Sequence, residues 1–466
     1  MNNKYIKGSI LLGLTVSIGF SSCQIQNNYK TPEYNSENLF RDEQPTDTTT
    51  IANLTWKDYF KDPILQAFIE EGIDRNFDLR IASARIQQAE ANLSIAKAAY
   101  FPNVALVGVF NQTRLSNGAN GTNILGYSGD ALTQYGVGIS VSWEAELWGK
   151  ITSQKRASYA QYLSTHAYKN LIQTSLIANI ATSYYSLLAL DEQLKVTKET
   201  ISLLQESTQT IEAMKEAGLL NGAAVQQSKA LLFGTMLSIP SLEAQIRQVE
   251  NTISTLLGRK PNTLIRSTIA NQAVPSEIKF GIPAQMLAKR PDVQQAELAF
   301  RSAFELTKVA KASFYPSLTL NPGSQIGFVE NFKPESIVAN IIGGLTQPIF
   351  AKKQLTGQLK IRKAQQEEAL LNFEKTVLNA GQEVSNILYS YQASMRKNDD
   401  RQKQVNAVAT AVYFTQELLK AGEANYTEVL NAEQNLLQAQ LGQVSDKLEQ
   451  LQATVNLYRA LGGGIK

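Results

Sequence analysis

Glu144 and Glu146 are two carboxylates two positions apart, a pairing that invites the acid and base roles of a glycoside hydrolase. They stand where a strand-like window gives way to a long helical one. Acids near a helix N-terminus or a lumen are the better account of them. His166 has no cysteine, histidine or carboxylate at metal spacing on its helix face, the nearest acid being Asp191, so it reads as a helix-packing residue. The sequence holds no phosphate loop, nucleophile elbow or zinc motif. No cofactor is implied.

Composition narrows the classes further. One cysteine excludes an intrachain disulfide and one histidine excludes the usual multi-histidine metal sites, and both count against an enzyme. The formal charge is +3, and removing Lys4 and Lys7 with a leader leaves +1, so no nucleic acid is expected as a partner. Lys4 and Lys7 precede an apolar run from Ile10 to Phe20 that is too short to cross a bilayer as a helix. Ser21, Ser22 and Cys23 close it. This pattern suits a signal peptide over 1–22 and resembles a bacterial lipobox, with Cys23 lipidated as the new N-terminus. At roughly 0.8 kcal/mol per buried methylene, several acyl chains on one residue hold firmly to a membrane. Residues 23–55 then read as an extended tether rich in Asn, Thr, Gln and Glu.

The elements that position these residues repeat. Ala96-Lys97-Ala98-Ala99-Tyr100-Phe101-Pro102 recurs as Ala310-Lys311-Ala312-Ser313-Phe314-Tyr315-Pro316, 214 positions on, and Asp78 matches Asp292 at the same offset. Ala217-Gly218 matches Ala421-Gly422, and Leu257-Gly258 matches Leu461-Gly462, both offset by 204. The chain is a tandem duplication over 56–262 and 290–466, joined by a linker at 263–289. Each copy predicts a helix, two strands, a long helix, a glycine turn and a return helix. In the first copy the strands fall at about 103–113 and 135–145, the long helix at 150–217 and the return helix at 223–257. In the second they fall at about 317–329 and 338–348, 351–420 and 425–461.

From Lys150 to Ala217 there is no glycine or proline, which predicts one helix on the order of 100 Å long at about 1.5 Å per residue. Leu187, Leu190, Leu194, Ile201, Leu204 and Ile211, with Thr197 and Thr208 between them, fall on heptad a and d positions. Val405, Val408, Val412, Thr415 and Leu419 repeat that seam. In the window from Tyr135 to Trp143, apolar residues alternate with Gly136, Gly138, Ser140 and Ser142, which is a strand with one greasy face. Windows of about 9 to 11 residues suit tilted strands in a bilayer. Four such strands cannot close a barrel alone, because an open edge in lipid leaves backbone groups unpaired, so two or more chains must share one.

Several further stretches resemble the outer-membrane channel components of tripartite efflux and secretion systems, in the lipoprotein branch that works with resistance–nodulation–division pumps. They are Phe60-Lys61-Asp62-Pro63 with Asn76-Phe77-Asp78-Leu79, Ile239-Pro240-Ser241-Leu242, Leu256-Leu257-Gly258-Arg259-Lys260-Pro261, Arg290-Pro291-Asp292, Thr346-Gln347-Pro348-Ile349-Phe350 and Ala460-Leu461-Gly462-Gly463-Gly464. The resemblance implies a mainly α fold with a membrane β part. Three chains would share a twelve-stranded barrel in the outer membrane and a coiled-coil tunnel through the periplasm. It also implies a passive exit duct for small molecules such as drugs, opened when a periplasmic adaptor and an inner-membrane pump dock. The turns Gly218-Leu219-Leu220-Asn221 and Gly422-Glu423-Ala424-Asn425 would meet the adaptor. Acidic residues would ring the entrance at Glu428 and at the next such position, which here is Asn431, so one ring of three Glu428 carboxylates remains. A type I secretion duct and a periplasmic adaptor lipoprotein are the alternatives. An adaptor would show one hairpin flanked by lipoyl-like segments, whereas two hairpins alternate with strands here.

Overall fold

The computed structural model describes residues 28–34, 38–41, 50–114, 131–274, 281–320, 325–329 and 337–465. The signal-peptide and Cys23 expectations lie outside them. In chain order the elements are α1 (Trp56–Tyr59), α2 (Pro63–Arg75), α3 (Phe77–Ala98), β1 (Asn103–Arg114), β2 (Ala131–Glu144), α4 (Lys150–Glu216), α5 (Gly222–Met236) and α6 (Ser238–Leu256). The second copy follows with α7 (Pro283–Lys289), α8 (Pro291–Ala312), β3 (Ser317–Leu320), β4 (Gln325–Val329), β5 (Ile337–Asn340), β6 (Gly343–Thr346), α9 (Gln354–Ala421) and α10 (Tyr426–Ala460). The chain divides into two units, residues 1–32, 87–164 and 297–372 in one, and 33–86, 165–296 and 373–466 in the other.

The first unit holds the sheet. β1 and β2 form an antiparallel hairpin from Asn103↔Ser142 to Arg114↔Ala131. β2 then pairs with β4 (Gly136↔Val329 to Ser140↔Gln325) and with β3 (Trp143↔Leu320), and these two pair in turn with β5 and β6. β3 with β4, and β5 with β6, are successive pieces of a third and a fourth strand; residues 321–324 of the expected window 317–329 lie outside the described residues, and the expected window 338–348 is split at Ile341-Ile342. One cause of the break is visible, and a second feature shortens the last window. The register moves by two residues between Leu320↔Gly343 and Gln325↔Asn340, which leaves Ile341 and Ile342 outside the ladder. Pro348, which has no N–H, stands just past the end of β6 at Thr346. Val104 and Leu106 pair with Val141 and Ile139, so these residues share one face of the pleat, and Leu106 is 78% exposed. Leu345, 66% exposed, pairs with Leu318. The sheet therefore carries an exposed apolar face, and within this chain β1 and the β5/β6 strand are its two edges.

The junction of sheet and helix is tied by side chains. Glu146 accepts from the backbone N–H groups of Ile151 (2.7 Å) and Thr152 (3.3 Å) at the start of α4, and Lys150 Nζ lies 2.9 Å from Glu144 Oε1. Both carboxylates are thus engaged in starting a helix. Trp148 donates to the Pro316 carbonyl at 2.6 Å and stacks on Tyr315. His166 is exposed on α4 rather than packed, because it falls one position short of the buried Ala167. Within the tether region, Tyr29 packs on Phe300 and Phe304 of α8, with Thr31 donating to Glu297 at 2.9 Å.

The second unit holds the core. α2 lays Leu65 and Ile69 on Ile177, Ile180, Tyr184 and Leu187 of α4, with Ile253 and Leu257 completing the cluster. In the second copy α7 and α8 lay Met286 and Val293 on Val377, Ala380 and Val384 of α9, with Leu457 and Leu461. Phe40 is sealed into this second cluster, and Leu39 fills the space beside Gly381, so part of the expected tether is bound to the helices. Burying each such side chain contributes roughly 1.5–3 kcal/mol. Two clamps repeat as well. Asn76, between α2 and α3, donates to the Leu256 carbonyl at 2.9 Å, and Arg290, between α7 and α8, donates to the Ala460 carbonyl at 2.8 Å. Unlike side chains thus perform the same task at repeat-equivalent positions.

The return helix expected as one piece over 223–257 is two, α5 and α6, meeting at Leu237. Leu237 keeps right-handed helical dihedrals (φ −63°, ψ −20°), so the interruption is slight. Pro240, within the first turn of α6, has no N–H to give back to α5. At the other long helix, Lys352 and Lys353 take positive φ (44° and 64°), which delays α9 to Gln354.

Candidate docking site at the helix turns

The turns at Gly218 and Gly422 end the two long helices in the same way. Gly218 N–H bonds to Lys215 O (3.0 Å) and Leu219 N–H to Met214 O (2.9 Å); Gly422 N–H bonds to Leu419 O (3.0 Å) and Glu423 N–H to Leu418 O (2.8 Å). Each is a Schellman end, and the glycines adopt the positive φ it requires, 75° and 77°. An asparagine then caps each return helix. Asn221 Oδ1 accepts from Ala224 N–H and Asn425 Oδ1 from Thr427 N–H, both at 3.1 Å. Beneath the turns, Ile211 of α4, Val225 of α5, Leu419 of α9 and Val429 of α10 form one small core, with Leu220 packed against it. The two seams read from the heptads therefore converge at the turns.

Above this core the turn residues stay in solvent. Leu219 is 69% exposed, and Gly218, Asn221, Gly422, Glu423 and Asn425 are exposed too, with Ala424 half-buried. Glu428 lies in the first turn of α10 and is exposed, as is Asn431, so the structure places them one helical turn apart at the surface. Across the base, Lys229 of α5 pairs with Glu212 of α4 at 2.6 Å. Among the described residues no group of three or more His, Cys, Asp or Glu could hold a metal ion.

One feature beside the turns escaped the sequence reading. Glu433 of α10 is fully buried, and its Oε1 accepts from the hydroxyl of Ser207 on α4 and from Gln416 Nε2 on α9, the latter at 2.9 Å. Burial pushes its carboxyl above the usual carboxylate range, against the opposing pull of those two hydrogen bonds. Close by, the buried hydroxyls of Thr208 and Ser228 meet at 2.6 Å. The signal was present: Glu433 stands four residues from Val429 and four from Leu437, in the apolar seam of its own helix.

The family model described as outer membrane efflux protein matches residues 68–259 and 282–463. The chain belongs to the outer membrane efflux protein family. Its two matched ranges hold the two copies, each with a helix, strands, a long helix and its return. The chain is 28% identical over 485 residues to a probable efflux pump outer membrane protein, TtgC, of Pseudomonas putida, covering 98% of this chain and 96% of that one. It is 26% identical over 415 residues to a probable outer membrane lipoprotein, SilC, of Salmonella typhimurium, covering 88% of each. Among solved structures it resembles the open state of the MtrE outer membrane channel of Neisseria gonorrhoeae, with a TM-score of 0.83 at 25% identity over 95% of this chain and 99% of that one. Family membership and this likeness account for a mostly helical chain in which a sheet interrupts each copy.

Proposed function

We propose that this protein is the outer-membrane exit duct of a tripartite efflux system, exporting small molecules across the periplasm and the outer membrane. The observation that carries the reading is the open four-strand sheet with an exposed apolar face, in a chain of the efflux-protein family. The strands β1 and β2 are long enough for tilted strands in a bilayer, and the apolar face they expose suits lipid. In lipid the two free edges of the sheet must pair, and three copies giving four strands each make a closed barrel of twelve. The same threefold ring sets the long helices side by side as a tunnel, and Cys23, lipidated, anchors each chain to the membrane. The domain limits follow the two copies, 56–262 and 290–466, with 263–289 between them. The duct catalyses no reaction.

The exposed turns Gly218-Leu219-Leu220-Asn221 and Gly422-Glu423-Ala424-Asn425 face the adaptor, which couples the duct to a resistance–nodulation–division pump in the inner membrane. Leu219→Arg together with Glu423→Arg leaves the turn backbones and the core beneath them unchanged. Cells carrying this variant are expected to retain a pump substrate such as ethidium as fully as a deletion strain, with normal amounts of protein in the outer membrane. Wild-type accumulation in that strain would refute docking at the turns. Three Glu428 carboxylates, one per chain, ring the entrance and favour cations, with Asn431 behind them. In planar bilayers the Glu428→Gln channel is expected to lose cation preference, and an unchanged reversal potential would remove the ring from the account.

A further inference from the structure

A cavity of about 480 Å³ lies in the second unit between α4, the junction of α5 and α6, and α10. Leu204, Leu231, Leu242, Leu437 and Leu441 give it apolar walls, and its volume falls in the range of small-molecule sites. Among the described residues that line it, Glu433 is the one ionisable side chain. Glu433 is 0% exposed, its Oε1 is taken by Ser207 and Gln416, and its Oε2 has no hydrogen-bond partner among the described residues. A buried carboxylate without a countercharge is costly, and nothing in the lining supplies the cation.

We propose that this cavity binds a small amphiphilic organic monocation, its ammonium attracted by the buried Glu433 carboxylate in the wall and its apolar body among the leucines. A single carboxylate matches a single positive charge. A hard metal ion needs several oxygen ligands, and a neutral molecule of the same shape leaves the charge unpaired. The site goes beyond the duct reading and stands without it, because every residue used belongs to one chain.

Full-length protein in a neutral maltoside detergent, titrated calorimetrically with 1-naphthylmethylamine and with its neutral counterpart 1-naphthalenemethanol, tests this. The amine is expected to bind at least about tenfold more tightly, the scale of one charge-assisted pair. Glu433→Gln should bring the two within about twofold of each other. Gly234 lines the same cavity, and a Cβ built there meets nothing within 4 Å, so Gly234→Leu fills the space without a backbone clash and should block both compounds. Equal affinity for amine and alcohol in the wild type overturns the proposal. So does an amine preference that survives Glu433→Gln, or binding untouched by Gly234→Leu.

Discussion

Arg290→Ala is expected to destabilise the second unit by about 3–5 kcal/mol, because it strands two carboxylates and a helix end that have no other cation of equal geometry. The Arg290 guanidinium grips Asp292 with two bonds, Nε to Oδ1 at 3.0 Å and Nη2 to Oδ2 at 2.6 Å. Its Nη1 reaches Glu383 Oε2 and the Ala460 carbonyl, each at 2.8 Å. Arg290 is 7% exposed, so these bonds work with little solvent screening. Arg459 touches the other oxygen of Glu383 and is itself a third exposed, so it offsets only part of the loss. Arg290→Lys keeps the charge but cannot span Asp292, Glu383 and Ala460 at once, and should fall between alanine and wild type. Guanidinium titration of the detergent-extracted protein, followed by tryptophan fluorescence, reads the order. Alanine and lysine variants unfolding with the wild type would show that the network carries no stability.

The contrast between Arg290 and its repeat partner shows what the sequence displayed and what it hid. Glycine turns and the heptad seams are local signals, each set by residues within a few positions, and both were readable. The clamp was not. Asn76 reaches Leu256 and Arg290 reaches Ala460 across 180 and 170 residues, and the two clamps use unlike side chains, so neither spacing nor identity marks them. The second hairpin was legible only as windows, because its pieces are offset in register and Ile341-Ile342 reads as strand while standing outside the ladder. Glu433 was hidden by chemistry rather than distance. A glutamate near a helix start is usually solvated, and only its place between Val429 and Leu437 in the seam argues for burial. The exposure of His166 turned on one position of helical phase, which periodicity over a helix of 67 residues does not fix.

Gly258→Ala should be as damaging as Arg290→Ala for a different reason, and the protein contains its own control. Gly258 ends α6 at φ 68°, and a Cβ placed there comes within 2.6 Å of the Arg75 carbonyl oxygen at the end of α2. Two penalties therefore add. A left-handed residue with a side chain costs roughly 1–2 kcal/mol, and forcing α2 away from α6 costs roughly 1–3 kcal/mol more. Gly218 has nearly the same φ, 75°, but a Cβ there meets nothing within 4 Å. Gly218→Ala should thus show the first penalty alone, roughly 1–2 kcal/mol. Asparagine, which tolerates the left-handed region, should recover most of the loss at Gly218 and little at Gly258, where its Cβ still strikes the Arg75 carbonyl. Gly462 sits at φ 87° with its Cβ position 3.0 Å from the Lys289 carbonyl carbon, and should behave as Gly258 does, somewhat more mildly. Unfolding midpoints of the five glycine variants measure this directly. Equal losses at Gly218 and Gly258 would mean that backbone conformation alone decides the cost, and that the close approach of α2 to α6 is yielding rather than rigid.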